Sequence, residues 1–170
     1  LGPGKTTQLK NLVSTSGGEK IAIIENEVGS VGVDTKLLNK SEDIQIIELS
    51  NGCICCSIRG ELTESIKNLL AKIDANKLQI DRLIIETTGL ADPAPIIQTF
   101  FLDDEIKERV ALDAVITLVD AHHILKQLNE HAVAASQIGF ADKIILTKSD
   151  TVTDEQKSAA LLRIHAINSK

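Results

Sequence analysis

The sequence contains no methionine, tryptophan or tyrosine and only three phenylalanines among its 170 residues. So few aromatic rings exclude a stacking platform for bases, and the net charge of −6 excludes a basic surface for a phosphate backbone. No apolar run approaches the roughly 20 residues needed to cross a bilayer, and no signal sequence is visible. We therefore expect binding to neither nucleic acid nor membrane, with the cytoplasm as the default compartment.

Cysteine is also scarce, and all three thiols lie in the segment Cys53-Ile54-Cys55-Cys56. In a cytoplasmic protein such a cluster indicates metal ligands or free thiols rather than a disulfide framework. Thiolates suit Zn²⁺ and comparable soft ions. In an extended segment Cys53 and Cys55 share a face that Cys56 does not, so two thiolates plus a carboxylate are the expected ligands. A redox pair and an inert buried thiol cluster are the alternatives.

The amino terminus has the pattern of a phosphate-binding loop, Gly2-Pro3-Gly4-Lys5-Thr6-Thr7. In such a loop glycine N–H groups face the phosphates, the lysine reaches the β and γ oxygens, and the first threonine gives its hydroxyl to Mg²⁺. The pattern predicts a nucleoside triphosphate as ligand. The alternative is a Gly-Pro turn that only starts a helix.

The loop pattern also bears on domain organisation. The first glycine of the full pattern Gly-x-x-x-x-Gly-Lys-Thr would stand two residues before Leu1, and a helical pattern closes at Lys170, where a parallel sheet would need another strand. We expect residues 1–170 to be one nucleotide-hydrolysing domain of a longer protein, a fragment from which the strand before the loop is missing.

Short apolar runs recur at spacings that leave room for helices, and they read as buried parallel strands: Ile21 to Ile24, Ile44 to Leu49, Leu83 to Ile85, Val115 to Val119 and Ile144 to Leu146. One intervening helix has an apolar face made of Leu62, Ile66, Leu69, Leu70 and Ile73, and Thr153 with Gln156 forms a capping box at the start of the last helix. The alternation predicts a three-layer α/β fold of the P-loop NTPase type with a mostly parallel sheet. Ligands of such folds gather at the carboxyl ends of the strands, where Glu25, the cysteines, Glu86, Asp120, Lys148 and Asp150 lie.

Thr147-Lys148-Ser149-Asp150 follows the last strand and is similar to the guanine-specificity motif Asn/Thr-Lys-x-Asp of P-loop GTPases. Guanine presents a ring N–H beside an exocyclic amine, and one carboxylate can accept from both, whereas adenine lacks that pair. We therefore predict that Asp150 recognises the base and that the stem of Lys148 lies along it. The alternative is a surface turn in which the aspartate caps a helix.

Leu83 to Glu86 form a buried strand that ends in an acid, and Gly89 follows three residues later. This arrangement matches a Walker B strand that leads into a second switch. Glu86 would hold Mg²⁺ through water or orient the attacking water, and the Gly89 N–H would meet the γ-phosphate. Leu90 stands where Ras-like GTPases carry glutamine, which predicts slow intrinsic hydrolysis. An acid that caps the next helix is the alternative for Glu86.

Taken in order along the chain, these segments resemble the CobW family of P-loop GTPases, and within it the YjiA-type bacterial subfamily. The matching stretches span nearly the whole chain: Gly2 to Thr7, Ile24 to Glu27, Val31 to Asp34, Ser50 to Ser57, Ile85 to Pro93 and Leu146 to Asp150. The resemblance implies a metal-handling GTPase whose Cys-x-Cys-Cys site lies between the switches, followed in the family by a second domain that these 170 residues do not contain.

The resemblance also implies a ligand set in which Glu25 joins Cys55 and Cys56, with Cys53 as a weaker candidate. Ser30 departs from the family pattern, which has glutamate there, so water, Glu27 or a partner's residue would fill the fourth position. His122-His123 could add soft ligands, but paired histidines that open a helix are more often solvated.

The function that we predict from the sequence is a Mg²⁺-dependent GTPase that couples nucleotide state to binding or release of a transition metal, zinc in this prediction, for a client protein. Lys5, Thr6 and Glu86 would act in hydrolysis, with Asp34 as a further Mg²⁺ ligand. A small-molecule kinase, a thiol redox module and a chaperone for a cobalt or iron centre are the alternatives.

Overall fold

The computed structural model describes residues 4–26, 44–48, 58–89 and 91–170, and their side chains except at positions 6, 26, 44–48 and 58. These residues divide into two compact units. The amino-terminal unit comprises Thr6–Thr88 and Gln98–Ala111, and the carboxyl-terminal unit comprises Leu1–Lys5, Gly89–Ile97 and Leu112–Lys170.

The amino-terminal unit contains a parallel sheet of three strands in the order β2-β1-β3. The strands are β1 (Ile21–Asn26), β2 (Ile44–Glu48) and β3 (Arg82–Thr87). Leu9 of helix α1 (Lys5–Ser14) packs with the buried Ile21 and Ile23 of β1. Gly17 and Gly18, both at positive φ, turn the chain after α1.

Helix α2 (Ile58–Asp74) confirms the predicted apolar face, because Leu62, Ile66, Leu69 and Leu70 are all buried. Ile73, in the last turn, is only half-buried. Helix α3 spans Pro93–Leu102, and the short α4 (Asp104–Arg109) begins after Asp103, whose carboxylate accepts from the Ile106 N–H at 3.2 Å. The acidic run at 103–105 is thus the start of a helix.

The carboxyl-terminal unit is built on a parallel pair of strands, β4 (Ile116–Asp120) and β5 (Lys143–Thr147). Helices α5 (Ile124–Glu130), α6 (Ala132–Gly139) and α7 (Asp154–His165) accompany them. The buried core joins the strand pair to all three helices through Val119, Ile124, Ile138, Ala160 and Ile164. The capping box at α7 is confirmed, since the Thr153 hydroxyl accepts from the Gln156 N–H at 3.3 Å and the Gln156 side chain accepts from the Thr153 N–H at 3.0 Å.

The positions of all five predicted strands are confirmed, with ends that shift by at most two residues within the described ranges. Their predicted burial is confirmed for Ile21 to Ile24 of β1, but the side chains of β3 and β5 are only partly buried and Ile116 of β4 is exposed. In β1, β3, β4 and β5 the apolar runs end before the strands do, because the ladder uses backbone groups and continues through polar residues such as Glu25 and Glu86. No helix within the described ranges has the length and hydropathy to span a membrane.

The predicted helical pattern closing at Lys170 is wrong, because α7 ends at His165. The next residues form a turn that the buried Asn168 fixes. Its amide donates to the carbonyls of Ile138 and Ala141, both at 2.8 Å, and its own oxygen accepts from the Lys170 N–H at 3.1 Å. This side chain ties the end of the chain to the end of α6.

Replacement of Asn168 by alanine tests this link. The substitution removes both hydrogen bonds. The Ile138 carbonyl keeps the Ala141 N–H at 3.2 Å, but the Ala141 carbonyl loses the donor that the amide supplied, and a buried polar group that loses its partner costs about 1–3 kcal/mol. We expect Asn168→Ala to lower the free energy of unfolding in urea by about 2–4 kcal/mol, whereas Asn129→Ala, at an exposed helical asparagine, should change it by less than about 0.5 kcal/mol. Equal losses in the two variants would show that Asn168 does not fix the turn.

Candidate functional site

The described end of the predicted phosphate-binding loop lies against the predicted base-recognition motif, within the carboxyl-terminal unit. Gly4 has φ of +149°, a region that strongly favours glycine, and α1 begins at the next residue, Lys5. A Cβ atom built on Gly4 would lie 3.4 Å from Cγ2 of Thr147. The loop backbone therefore packs directly on the first residue of the Thr-Lys-x-Asp motif, and a larger side chain at position 4 would be strained.

The Thr-Lys-x-Asp motif starts where β5 ends. The Thr147 hydroxyl donates to the Val119 carbonyl at 3.2 Å, which ties the motif to β4. Lys148 adopts a left-handed backbone conformation (φ 55°, ψ 29°), and Asp150 follows in the 3₁₀ turn Ser149–Thr151 with an exposed side chain. A non-glycine residue in this conformation costs about 1–3 kcal/mol and is found where surrounding contacts impose it.

Asp120, the last residue of β4, supplies such a contact. Its side chain is only 7% exposed and forms an ion pair with the Lys148 ammonium group at 2.5 Å. Nδ1 of His123 lies 3.2 Å from the same carboxylate oxygen, and the His122 N–H donates to the other oxygen at 2.9 Å. Burial raises the pKa of Asp120, but the hydrogen bonds from Lys148, His123 and the His122 backbone outweigh it and hold the pKa below the ordinary value.

The histidine pair opens a helix, as the sequence indicates, since α5 begins at Ile124. The two imidazole rings meet edge to face with centroids 4.8 Å apart. Because His123 already faces the Asp120 carboxylate, the structure gives this pair a local partner that sequence analysis did not foresee. The missed signal was the register, which places Asp120 beside Thr147 and therefore next to Lys148.

The amino-terminal unit brings three glutamates to one level of its sheet. Glu25 of β1 is in register with Glu48 of β2 and with Glu86 of β3, each close to the carboxyl end of its strand. Glu25 is buried at 8% exposure, and Glu86 is half-buried. The candidate metal ligand Glu25 and the candidate catalytic acid Glu86 are therefore direct neighbours on adjacent strands. Carboxylate oxygens are suitable ligands for both Mg²⁺ and Zn²⁺.

Several candidate residues lie outside the described residues: Gly2, Pro3, Asp34, Cys53, Cys55 and Cys56, with Glu27, Ser30 and Leu90. The Thr6 side chain is likewise not described, and Thr7 is exposed. Within the part of the chain that is described, no group of three or more His, Cys, Asp or Glu side chains is placed to hold a metal ion. The predicted cysteine ligands stay a prediction.

The fold and these motifs define a P-loop nucleotide-binding domain, and comparison with known proteins agrees. The chain matches the CobW/HypB/UreG nucleotide-binding domain over residues 1–170. It belongs to that family, which confirms the resemblance found in the sequence and the α/β P-loop fold class.

Two relatives illustrate the relationship. The zinc chaperone YjiA of Escherichia coli strain K12 is 48% identical over 167 residues, which are 98% of this chain and 52% of that protein. The zinc-regulated GTPase metalloprotein activator 1 of Schizosaccharomyces pombe is 35% identical over 174 residues, which are 99% of this chain and 41% of that protein.

The solved structures agree with the sequence relatives. The crystal structure of Zn(II)-bound YjiA GTPase from E. coli superposes with a TM-score of 0.74 and 36% identity over spatially paired residues, covering 97% of this chain and 51% of that chain. The chain thus spans about half the length of the relatives that it matches.

The Asp120 carboxylate gives a pH-dependent prediction. Its folded-state pKa is depressed, so the stability that it contributes is present above the ordinary aspartate pKa of 3.8 and is lost as the pH falls through the folded value. Asp120→Asn keeps the shape and removes the charge. At pH 7 we expect a loss of about 1.5–3 kcal/mol in the free energy of unfolding, the range for hydrogen bonds to charged groups.

The difference between the wild type and Asp120→Asn should narrow as the pH is lowered below 3.8, measured by urea unfolding from pH 7 downwards. Asp150→Asn, at the exposed aspartate of the same motif, is the matched control and should have little effect on stability. A difference for Asp120→Asn that stays constant over this pH range would contradict the charged pairing with Lys148.

Proposed function

We propose that this chain is a Mg²⁺-dependent GTPase domain that couples its nucleotide state to the binding and transfer of zinc. The observation that carries the proposal is the contact of Gly4 with Thr147, since it puts the end of the phosphate loop beside the base-recognition motif in one compact unit. A nucleotide whose phosphates follow the loop has its base directed towards Thr147-Lys148-Ser149-Asp150. The relatives' names, which include GTPase and zinc chaperone, support the same function.

In this proposal each candidate residue has a chemical task. Lys5 neutralises the β and γ oxygens, and the backbone N–H groups of the loop from Gly2 to Thr7, except at Pro3, donate hydrogen bonds to the phosphates. Asp150 accepts from the two guanine donors, while Lys148, held by Asp120, lies along the base. Thr6, Glu86 and Asp34 offer the hard oxygen ligands that Mg²⁺ prefers, and Mg²⁺ supplies neutralisation of the charge that develops on the phosphates.

Zinc is the cargo in this proposal. Glu25 is buried on the strand next to Glu86, so a zinc ligand and a residue of the hydrolytic site share one level of the sheet. Strand β2 lies on the other side of β1 and ends at Glu48. The proposed zinc ligands Cys55 and Cys56, with Cys53 as a weaker candidate, follow β2 in the sequence. A nucleotide-dependent change near Glu86 would then alter the zinc ligands through adjacent strands.

The remaining parts of the proposal concern the whole protein. We infer a longer chain in which residues 1–170 supply the nucleotide-binding domain, a client metalloprotein that receives the zinc, and a cytoplasmic location.

Base recognition is tested by Asp150→Asn. The amide cannot accept from both guanine donors, so GTP binding should weaken by about 1.5–3 kcal/mol. Xanthosine triphosphate should bind the variant more tightly than it binds the wild type, because its 2-oxo group accepts a hydrogen bond from the new amide. Isothermal titration with GTP, ATP and xanthosine triphosphate measures the shift.

Two controls accompany this titration. Asp154→Asn, at an exposed aspartate four residues further on, should leave all three affinities unchanged. Lys5→Ala should abolish nucleotide binding or hydrolysis whichever base the nucleotide carries, because Lys5 acts on the phosphates. A wild-type chain that binds ATP as tightly as GTP would refute guanine specificity and favour the kinase alternative.

Zinc binding is tested by substitution of the ligands. Cys55→Ser combined with Cys56→Ser should abolish high-affinity binding of one Zn²⁺, Cys53→Ser should weaken it less, and Glu25→Ala should weaken zinc and also remove the effect of zinc on GTP affinity. Competition with a chromophoric chelator gives the affinity and the number of ions. Glu64→Ala, at an exposed glutamate of α2, is the control for Glu25→Ala.

The number of ions matters because a variant of the E. coli GTPase with one glutamate and two cysteines replaced by alanine is also described as Zn(II)-bound. Weak zinc binding that remains in a variant therefore does not show which residues hold the tightly bound ion. Retention of one tightly bound zinc by the double cysteine variant would contradict the proposed ligand set.

A further inference from the structure

Helix α6 holds the segment after β3 through a polar side chain that no part of the proposed mechanism uses. Nε2 of Gln137 donates to the Ala91 carbonyl at 2.8 Å and to the Gly89 carbonyl at 3.3 Å. Both carbonyls belong to the segment that the sequence assigns to the second switch. The contact lies inside the carboxyl-terminal unit, which contains Gly89–Ile97 as well as α6.

A second contact on the same helix strengthens the first. The Ser136 hydroxyl donates to the Asp92 carboxylate at 3.0 Å, and the same carboxylate oxygen accepts from the Ala94 N–H at 3.1 Å at the start of α3. Two successive residues of α6 thus hold Gly89, Ala91 and Asp92, the residues just before α3.

Gln137 itself is firmly placed. The Thr117 hydroxyl of β4 donates to the Gln137 carbonyl at 2.8 Å, and the next residue, Ile138, is buried in the core at 1% exposure. Asn168 fixes the end of the same helix. The Gln137 side chain therefore extends from a rigid support, so its amide can define the position of the backbone that it touches.

The consequence for Gly89 follows from peptide geometry. When the Gly89 carbonyl is held, the Gly89 N–H can still turn about the two backbone bonds of that glycine, but it stays close to the held carbonyl because fixed bond lengths join the two groups. Restraint of this kind lowers the entropy lost when the N–H binds a ligand, because fewer positions of the N–H remain to be given up.

We propose that Gln137 is a positioning residue for the γ-phosphate: it fixes the Gly89 and Ala91 carbonyls and so keeps the Gly89 N–H in place to meet the terminal phosphate of GTP. This inference rests on the proposed function. It assigns to α6 a role in distinguishing GTP from GDP, because only GTP carries the phosphate that this N–H would meet.

Two substitutions separate hydrogen bonding from packing. Gln137→Glu keeps the size and shape of the side chain but replaces the donor with an acceptor that faces two carbonyls, and Gln137→Ala removes the group. Gln127→Ala is the matched control, since Gln127 is also a half-buried helical glutamine of this unit. Calorimetric titrations use GDP and a GTP analogue with a β,γ-imido bridge, well below each variant's melting temperature.

We expect both Gln137 variants to bind the GTP analogue roughly five- to thirtyfold more weakly, the effect of one or two lost hydrogen bonds. Their affinity for GDP should change by less than about twofold, within the small effect of a substitution remote from the ligand. Gln127→Ala should bind both nucleotides like the wild type.

Three results would overturn the inference while leaving the proposed function intact. Equal weakening of the affinities for the analogue and for GDP would indicate a structural role only, and unchanged affinities for both would show that Gln137 does not act on the nucleotide. Tighter binding of the analogue would indicate that Gln137 holds a conformation that opposes GTP. A wild-type chain that binds neither guanine nucleotide would instead refute the proposed function, and this inference with it.

Discussion

Parallel pairing of the strands is the constraint on which both units depend. The carboxyl ends of neighbouring parallel strands lie at the same edge of the sheet. Strand pairing alone therefore brings together the polar residues that follow each apolar run. In the amino-terminal unit this places Glu25 between Glu48 and Glu86. In the carboxyl-terminal unit it places Asp120 beside Thr147, and the ion pair of Asp120 with Lys148 follows from that register.

The ion pair illustrates how a functional motif is supported by residues outside it. Lys148 occupies a left-handed conformation that costs free energy, and Asp120 contributes a buried carboxylate that is hydrogen-bonded on both oxygens. In the proposed nucleotide site, a lysine held in this way is already ordered before the nucleotide binds, so less side-chain entropy is lost on binding. The Gly4–Thr147 contact adds a second restraint, because it joins the same motif to the phosphate loop.

Sequence patterns sufficed where the interacting groups are close in the chain or repeat with a fixed period. The capping box of Thr153 and Gln156 is local, and the apolar face of α2 follows the helical period, so both were predictable. The motifs at Gly4-Lys5-Thr6 and Thr147 to Asp150 were recognisable because phosphate and guanine demand particular residues. The contacts of Gln137 and Asn168 join residues 27 to 48 positions apart and end on backbone carbonyls, which carry no sequence signature. Tertiary packing alone creates them.

The central claim is that zinc and the γ-phosphate are linked, and thermodynamic reciprocity allows a direct measurement. The zinc affinity of the unmodified chain is measured with the imido GTP analogue, with GDP and without nucleotide. The account predicts zinc affinities that differ between the analogue and GDP by a factor of roughly 5–150, the usual size of such couplings, and an equal factor in analogue affinity, relative to GDP, when zinc is saturating. Identical zinc affinities in all three states would contradict the coupling and leave a GTPase domain and a zinc site that act independently.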